Sequence, residues 1–134
     1  LTENVRVNDC LQTVQIEDSA LGDVRTVGKA ILPKVRNYGM VSVRPDEDGD
    51  LKIALLDDFI FDDSAIGIIK LDVEGNELPV LRGAIKTIER HKPHIFIEIA
   101  DEPELANFKE FLSAFGYGVK GRYCATPTYL FSPS

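Results

Sequence analysis

With 134 residues, 44% of them hydrophobic and 28% charged, the chain has the length and balance of one globular domain spanning 1–134, able to bury a single core. Its 22 acidic and 15 basic side chains give a formal charge of −7, a field that repels phosphate backbones and anionic lipid and so argues against nucleic acid as a partner. No apolar run approaches the ~18–20 residues that a helix needs to span a bilayer, so a membrane protein is not expected.

The chain opens at Leu1 rather than Met, and LTENVRVN has the look of a helix end running on into structure; a fragment, a truncated reading frame or a processed protein is expected. No signal or transit peptide is visible. Val14-Gln15-Ile16 reads as a strand leading into the polar segment Glu17 to Asp23. From Val24 to Tyr38 the pattern is ambiguous, because Pro33 interrupts any helix there. Between Met40 and Leu56, two alternating runs, MVSVR and LKIALL, flank Pro45-Asp46-Glu47-Asp48-Gly49-Asp50, which has the composition of a hairpin turn.

The strongest local signals follow. Ile66 to Leu71 is a nearly continuous β-branched run of the kind buried in a parallel sheet, ending at the turn Asp72-Val73-Glu74-Gly75-Asn76. A helix is expected next, with Leu78, Leu81, Ala84, Ile85 and Ile88 on one face and Pro79 in its first turn. His94 to Ile99 is a second buried-type strand, so the stretch from Ile66 to Ile99 reads as a parallel crossover unit. Asp101 with Glu104 three residues on is a capping box ahead of Leu105, Phe108, Phe111, Leu112 and Phe115, and Gly116 closes that helix. The tail from Tyr117 to Phe131 supplies one or two terminal strands.

Several residue sets carry potential chemistry. In open parallel α/β sheets, ligands bind beyond the carboxyl ends of the strands. Asp72 and Glu74 lie at one such end and Glu98 at the other. On an extended backbone Asp72 and Glu74 share a face, and Gly75 allows a sharp turn. The plainer alternative, that Asp72, Glu74 and Asn76 only cap the next helix, remains open. Asp57, Asp58, Asp62 and Asp63 read as a solvated loop with helix-capping duties, since a hard-cation site needs converging carboxylates. The Asp46 to Asp50 segment fails the calcium-loop spacing. His91 and His94 read as junction residues, so no metal site is expected. Cys10 and Cys124, far apart and in no CxxC or zinc spacing, read as free thiols of a reducing, cytoplasmic compartment. Lys29, Lys34 and Arg36 come closest to a basic cluster.

IKLDVEGNELPVLRGAIKTIERHKPHIFIEI resembles the signature of the FkbM-type methyltransferase family: Ile-Lys-x-Asp-x-Glu-Gly-x-Glu, a helix with Leu and Gly-Ala, then Lys-Pro and a strand ending in Glu. Asn4 to Asn8, Ala20-Leu21-Gly22-Asp23, Asn37-Tyr38-Gly39 with Val41-Ser42-Val43, and Leu56-Asp57-Asp58-Phe59 resemble further family segments. The resemblance is strongest from Leu56 to Glu98 and looser elsewhere.

That resemblance implies a partial Rossmann-like class I methyltransferase fold: a mainly parallel sheet flanked by helices, with an antiparallel hairpin and terminal strands. It implies S-adenosylmethionine as cofactor, with Asp18, Ser19 and Ala20 on its adenine side and Asp72 near its reacting side, and O-methylation of a small molecule or sugar hydroxyl. Asp72 is the first candidate for orienting or deprotonating that hydroxyl, Glu74 and Glu98 the next. The family's glycine-rich cofactor segment has no counterpart in the sequence, which leaves a second expectation, a non-catalytic α/β module that works by association. Without the strands that segment would supply, the strand at Ile66 would be a bare hydrophobic edge, so a homodimer or a rearranged sheet is expected.

Overall fold

The computed structural model describes residues 1–33, 41–59 and 65–134. The readings that fall on Lys34, Arg36, Asn37-Tyr38-Gly39, Met40, Asp62 and Asp63 lie outside the described residues. A short helix α1 (Thr2–Val7) precedes strands β1 (Ala20–Leu21), β2 (Thr26–Ile31), β3 (Ser42–Pro45) and β4 (Leu51–Ala54), and a 3-10 turn covers Leu56–Asp58. Then come β5 (Ile68–Leu71), α2 (Glu77–Arg82), α3 (Ile85–His91), β6 (His94–Glu98), α4 (Glu102–Ser113), β7 (Tyr117–Tyr123) and β8 (Thr128–Pro133).

These strands form two four-stranded sheets, ordered β1-β4-β2-β3 and β5-β6-β8-β7. Each is mixed: β1 with β4 and β5 with β6 are parallel, and the remaining pairs are antiparallel. The expected mainly parallel sheet is therefore corrected. Only the crossover unit enforces a parallel pair in the second sheet, and the terminal hairpin β7–β8 adds its strands antiparallel.

The second sheet carries the core. Leu71 of β5, Ile95 and Ile97 of β6, and Phe131 of β8 meet Val80, Leu81, Ala84 and Ile88 of the crossover helices and Leu105, Phe108 and Leu112 of α4. The last three recur at spacings of three and four, one apolar stripe on a helix whose other faces are polar. The capping box forms: Asp101 Oδ1 accepts the Glu104 N–H at 2.9 Å, and the Glu104 carboxylate reaches back to the Ala100 N–H at 3.0 Å. Gly116, at φ +80°, takes the left-handed position that ends the helix.

Three expectations are revised. Val14-Gln15-Ile16 is not a strand; strand pairing begins at Ala20. The runs at Ser42 and Leu51 do not pair as a hairpin, because β2 lies between them and pairs with both. The connecting turn passes so close over Gly28 that a Cβ on Gly49 would strike the Gly28 carbonyl. Two glycines make that path possible, and no local pattern declares it.

The single helix expected from Leu78 to Ile88 is two helices, broken at Gly83-Ala84. The Gly83 carbonyl accepts the Asp57 N–H at 2.9 Å, while the Asp57 carboxylate accepts the N–H groups of Lys86 and Thr87 at 2.9 and 2.8 Å and the Thr87 hydroxyl at 2.8 Å. Asp57 thus takes both partners of the helical bond that would join Gly83 to Thr87 and caps α3 from outside. Asp58 is engaged elsewhere, in a forked pair with Arg25 that holds its carboxyl below the usual range.

Candidate functional site

The register of β5 with β6 positions the principal carboxylates. Leu71 pairs with Ile97, so the next step in the parallel ladder sets Asp72 beside Glu98, both at the carboxyl ends of their strands. Adjacent parallel strands lie ~4.8 Å apart, and residues at the same step project to the same face. Glu74 arrives by a different route from the extended backbone expected. It sits at φ +50° and Gly75 at φ +91°, so the chain turns in the left-handed region there.

Asp72, Glu74 and Glu98 line one cleft of about 170 Å³, together with Gly75, Glu77, Ala100, Glu104 and Thr126. The carboxylates are committed differently. Asp72 pairs with Lys70 at 2.7 Å in an exposed contact. Glu104 is held by the Ala100 N–H. Glu77, only 4% exposed, accepts the N–H groups of Val73 at 3.1 Å and Gly75 at 3.0 Å. Glu74 and Glu98 make no side-chain hydrogen bond among the described residues, so they are the groups available to a ligand.

The capping alternative fares poorly at this turn. The Asn76 side chain makes no capping bond to α2; its amide donates instead to the Val43 carbonyl at 2.7 Å, tying the turn to the first sheet. Neither Asp72 nor Glu74 caps α2. The groups that sequence reasoning passed over are Glu77, Glu104 and Thr126. Glu104 was visible as half of a capping box, and Glu77 as the last acid of the family signature, but burial of Glu77 has no sequence signal.

A second, larger cleft of about 640 Å³ opens between the first sheet and the 3-10 turn, lined by Gln15, Glu17, Ser19, Leu21, Leu56, Asp58 and Phe59. Of the residues expected on the adenine side, Ser19 lines it; Asp18 and Ala20 do not, Ala20 being paired to Ile53 in β1. Asp72 lines the acidic cleft and not this one. Small-molecule pockets run to ~300–1,000 Å³, so the larger cleft has room for a nucleoside. The smaller has room only for a charged end or a small acceptor.

Among the described residues, no group of three or more His, Cys, Asp or Glu is arranged to hold a metal. His94 Nδ1 meets Ser132 Oγ at 2.7 Å and His91 Nδ1 accepts the Ile66 N–H at 3.4 Å. Cys10 and Cys124 are free thiols, and no helix among the described residues is long and apolar enough to cross a membrane.

A crossover unit that sets acidic side chains at the ends of parallel strands defines an α/β protein with its candidate site at the carboxyl edge of the sheet. Residues 41–119 match the model of the methyltransferase FkbM domain, more than half of the chain, and the chain belongs to that family. The crystal structure of methyltransferase FkbM from Methylobacillus flagellatus superposes with a TM-score of 0.62 at 20% sequence identity, over 98% of this chain and 32% of that one. The likeness in fold thus extends upstream of the family match, and the chain spans about a third of that protein's length. A search of curated proteins gave no match.

Proposed function

We propose that this chain forms part of an S-adenosylmethionine-dependent methyltransferase that acts on a hydroxyl of a small molecule or sugar, in the cytoplasm. The observation that carries the reading is the convergence of Asp72, Glu74 and Glu98 on one cleft at the carboxyl ends of two neighbouring parallel strands. Family membership supports it. The donor set also fits the group: a cleft rich in carboxylates suits a cationic sulfonium and ammonium end, and the cleft walled by Leu21, Leu56 and Phe59 suits a purine, with Ser19 available to its polar edge.

When bound, the cofactor supplies a methyl group activated for transfer to oxygen. The chain's own residues then have two tasks. Asp72 contacts the cofactor's amino group, or orients the acceptor hydroxyl and receives its proton; only the first role is read by cofactor affinity. Glu74 and Glu98, which make no side-chain hydrogen bond among the described residues, hold the positive charge beside it. Calorimetric titration of the chain with S-adenosylmethionine, repeated on Asp72→Ala, tests this. Micromolar binding weakened at least tenfold by the substitution is expected; no binding at millimolar cofactor would sink the reading for this chain.

One further observation favours association. Among the described residues β5 is an edge strand, with Ile68 64% exposed, and an unpaired apolar edge is a template for another strand. Homodimerisation through β5 follows as the second reading, of a module that works by assembly. Analytical ultracentrifugation decides it: a dimer that Ile68→Lys dissociates supports the reading, and a monomer at high micromolar concentration rules it out.

A further inference from the structure

We propose that Glu77 is the positioning residue of the acidic cleft, fixing the backbone that presents Glu74 rather than touching a ligand itself. The inference rests on the acidic cleft being the site of the proposed function. Asp72 and Glu98 are placed by the strand ladder, and any sheet of this register would place them so. Glu74 has no such support. It lies beyond the last paired residue of β5, in a left-handed conformation that side chains with a Cβ seldom adopt.

What holds it is the Glu77 carboxylate. Oε1 accepts the N–H of Val73 and Oε2 the N–H of Gly75, the two amides that flank Glu74. The clamp closes over two residues, and its carboxylate end is the buried one, Glu77 being 4% exposed, which limits competition from water for these bonds. A carboxylate suits this task because both its oxygens accept and neither donates. A glutamine side chain offers one accepting oxygen and turns an NH2 group toward the other N–H. Glu77 also stands at the first position of α2, where the free N–H groups favour a negative charge. Since the Asn76 side chain is committed to Val43, it cannot substitute.

Two readouts on Glu77→Gln test the proposal. Amide hydrogen exchange followed by NMR should show Val73 and Gly75 protected in the unsubstituted chain and released at least tenfold in Glu77→Gln, with Ile95 and Ile97 in β6 unchanged. Affinity for S-adenosylmethionine should fall at least fivefold, whereas Leu112→Ala, a core change remote from the cleft, should leave affinity within twofold despite lower stability. Should Glu77→Gln fail to fold, Glu77→Asp, with a carboxylate one methylene short, reads the same two amides. Unchanged exchange at Val73 and Gly75 overturns the clamp, and released amides with affinity within twofold overturn the positioning role. If the unsubstituted chain binds no S-adenosylmethionine, the proposed function fails; release of the two amides then still supports the clamp.

Discussion

The two sheets of this molecule are similar in strand number and very different in what they bury. Every member of the core cluster lies between Leu71 and Phe131. Upstream, among the described residues, the buried apolar side chains are Val5, Ile53 and Ala54, while Val24, Val27, Ile31 and Leu32 stand exposed. The second sheet is covered by the apolar faces of three helices, and the first contributes only partly buried side chains such as Leu21 and Leu56 to the edge of that core. The first sheet has one buried position in β2, the glycine at 28, and leans on its neighbour through Asn76, Gly83 and Asp57. Strand pairing by itself organises a sheet without stabilising it; the stabilisation comes from the helices that cover one.

The contrast can be broken by cavities cut on either side. Phe108→Ala in α4 removes a fully buried ring from the second core and should cost about 3–5 kcal/mol, lowering the melting temperature of the whole chain by ~10 °C or more. Ile53→Ala in β4 should cost less, because Ile53 lies outside the large buried core cluster, and its effect should be confined to faster amide exchange in β2 and β4. Equal global losses from the two substitutions would show that the sheets unfold as one unit and that the difference in burial has no thermodynamic meaning.

Alkaline pH provides a gentler probe of the same core. Tyr117 is buried at the start of β7, donates its hydroxyl to the Pro93 carbonyl at 2.9 Å, and is pushed up to about 12 by desolvation. Its folded value lies above its ordinary value near 10.0, so its contribution is fully present below pH 10 and is lost as pH rises through about 12, a change on the order of 2 kcal/mol. Denaturant midpoints measured across that window should fall in the unsubstituted chain and stay flatter in Tyr117→Phe. A phenol at position 117 that ionises at its ordinary value near 10.0 would mean that the second core admits water.

How much was legible in the sequence follows the same division. The strand within Ile66 to Leu71, the strand at His94 and the capping box at Asp101 each declare themselves, because paired strands favour β-branched runs and a helix start demands a cap, although β5 is an edge strand with Ile68 exposed rather than the buried strand expected. The placement of Asp72 and Glu98 was legible because strand ends in a parallel unit are predictable places, whereas the left-handed turn that carries Glu74 replaced the extended backbone expected there. In the first sheet the signals fail. β2 exposes most of its side chains, so Thr26 to Ile31 shows no alternation that would mark it. The turn from Asp46 to Asp50 has hairpin composition, yet its strands are parted by β2, and only the contact of Gly49 with Gly28 reveals the path. Glu77 escaped because its burial depends on the left-handed backbone of Glu74, a property of no single residue.

The smallest effect tests how the two regions are joined. Asp57 belongs to the 3-10 turn after the first sheet, yet its N–H and carboxylate occupy the groups freed at Gly83, Lys86 and Thr87, where the crossover helix is broken. Asp57→Ala removes the cap and leaves two helical N–H groups and a hydroxyl unpaired, at a cost of about 1–2 kcal/mol. The helices should not fuse to compensate, because Gly83 is pressed against the Gly22 carbonyl, where an added Cβ would collide, and the Asp57 N–H still holds the Gly83 carbonyl. Asp57→Asn keeps one accepting oxygen and should recover part of the loss. Denaturant unfolding of the three chains measures this, with exchange at Lys86 and Thr87 as the local report. A change below about 0.5 kcal/mol in Asp57→Ala would mean that the helix break is set by Gly83 alone, and that the first sheet is attached mainly through Asn76.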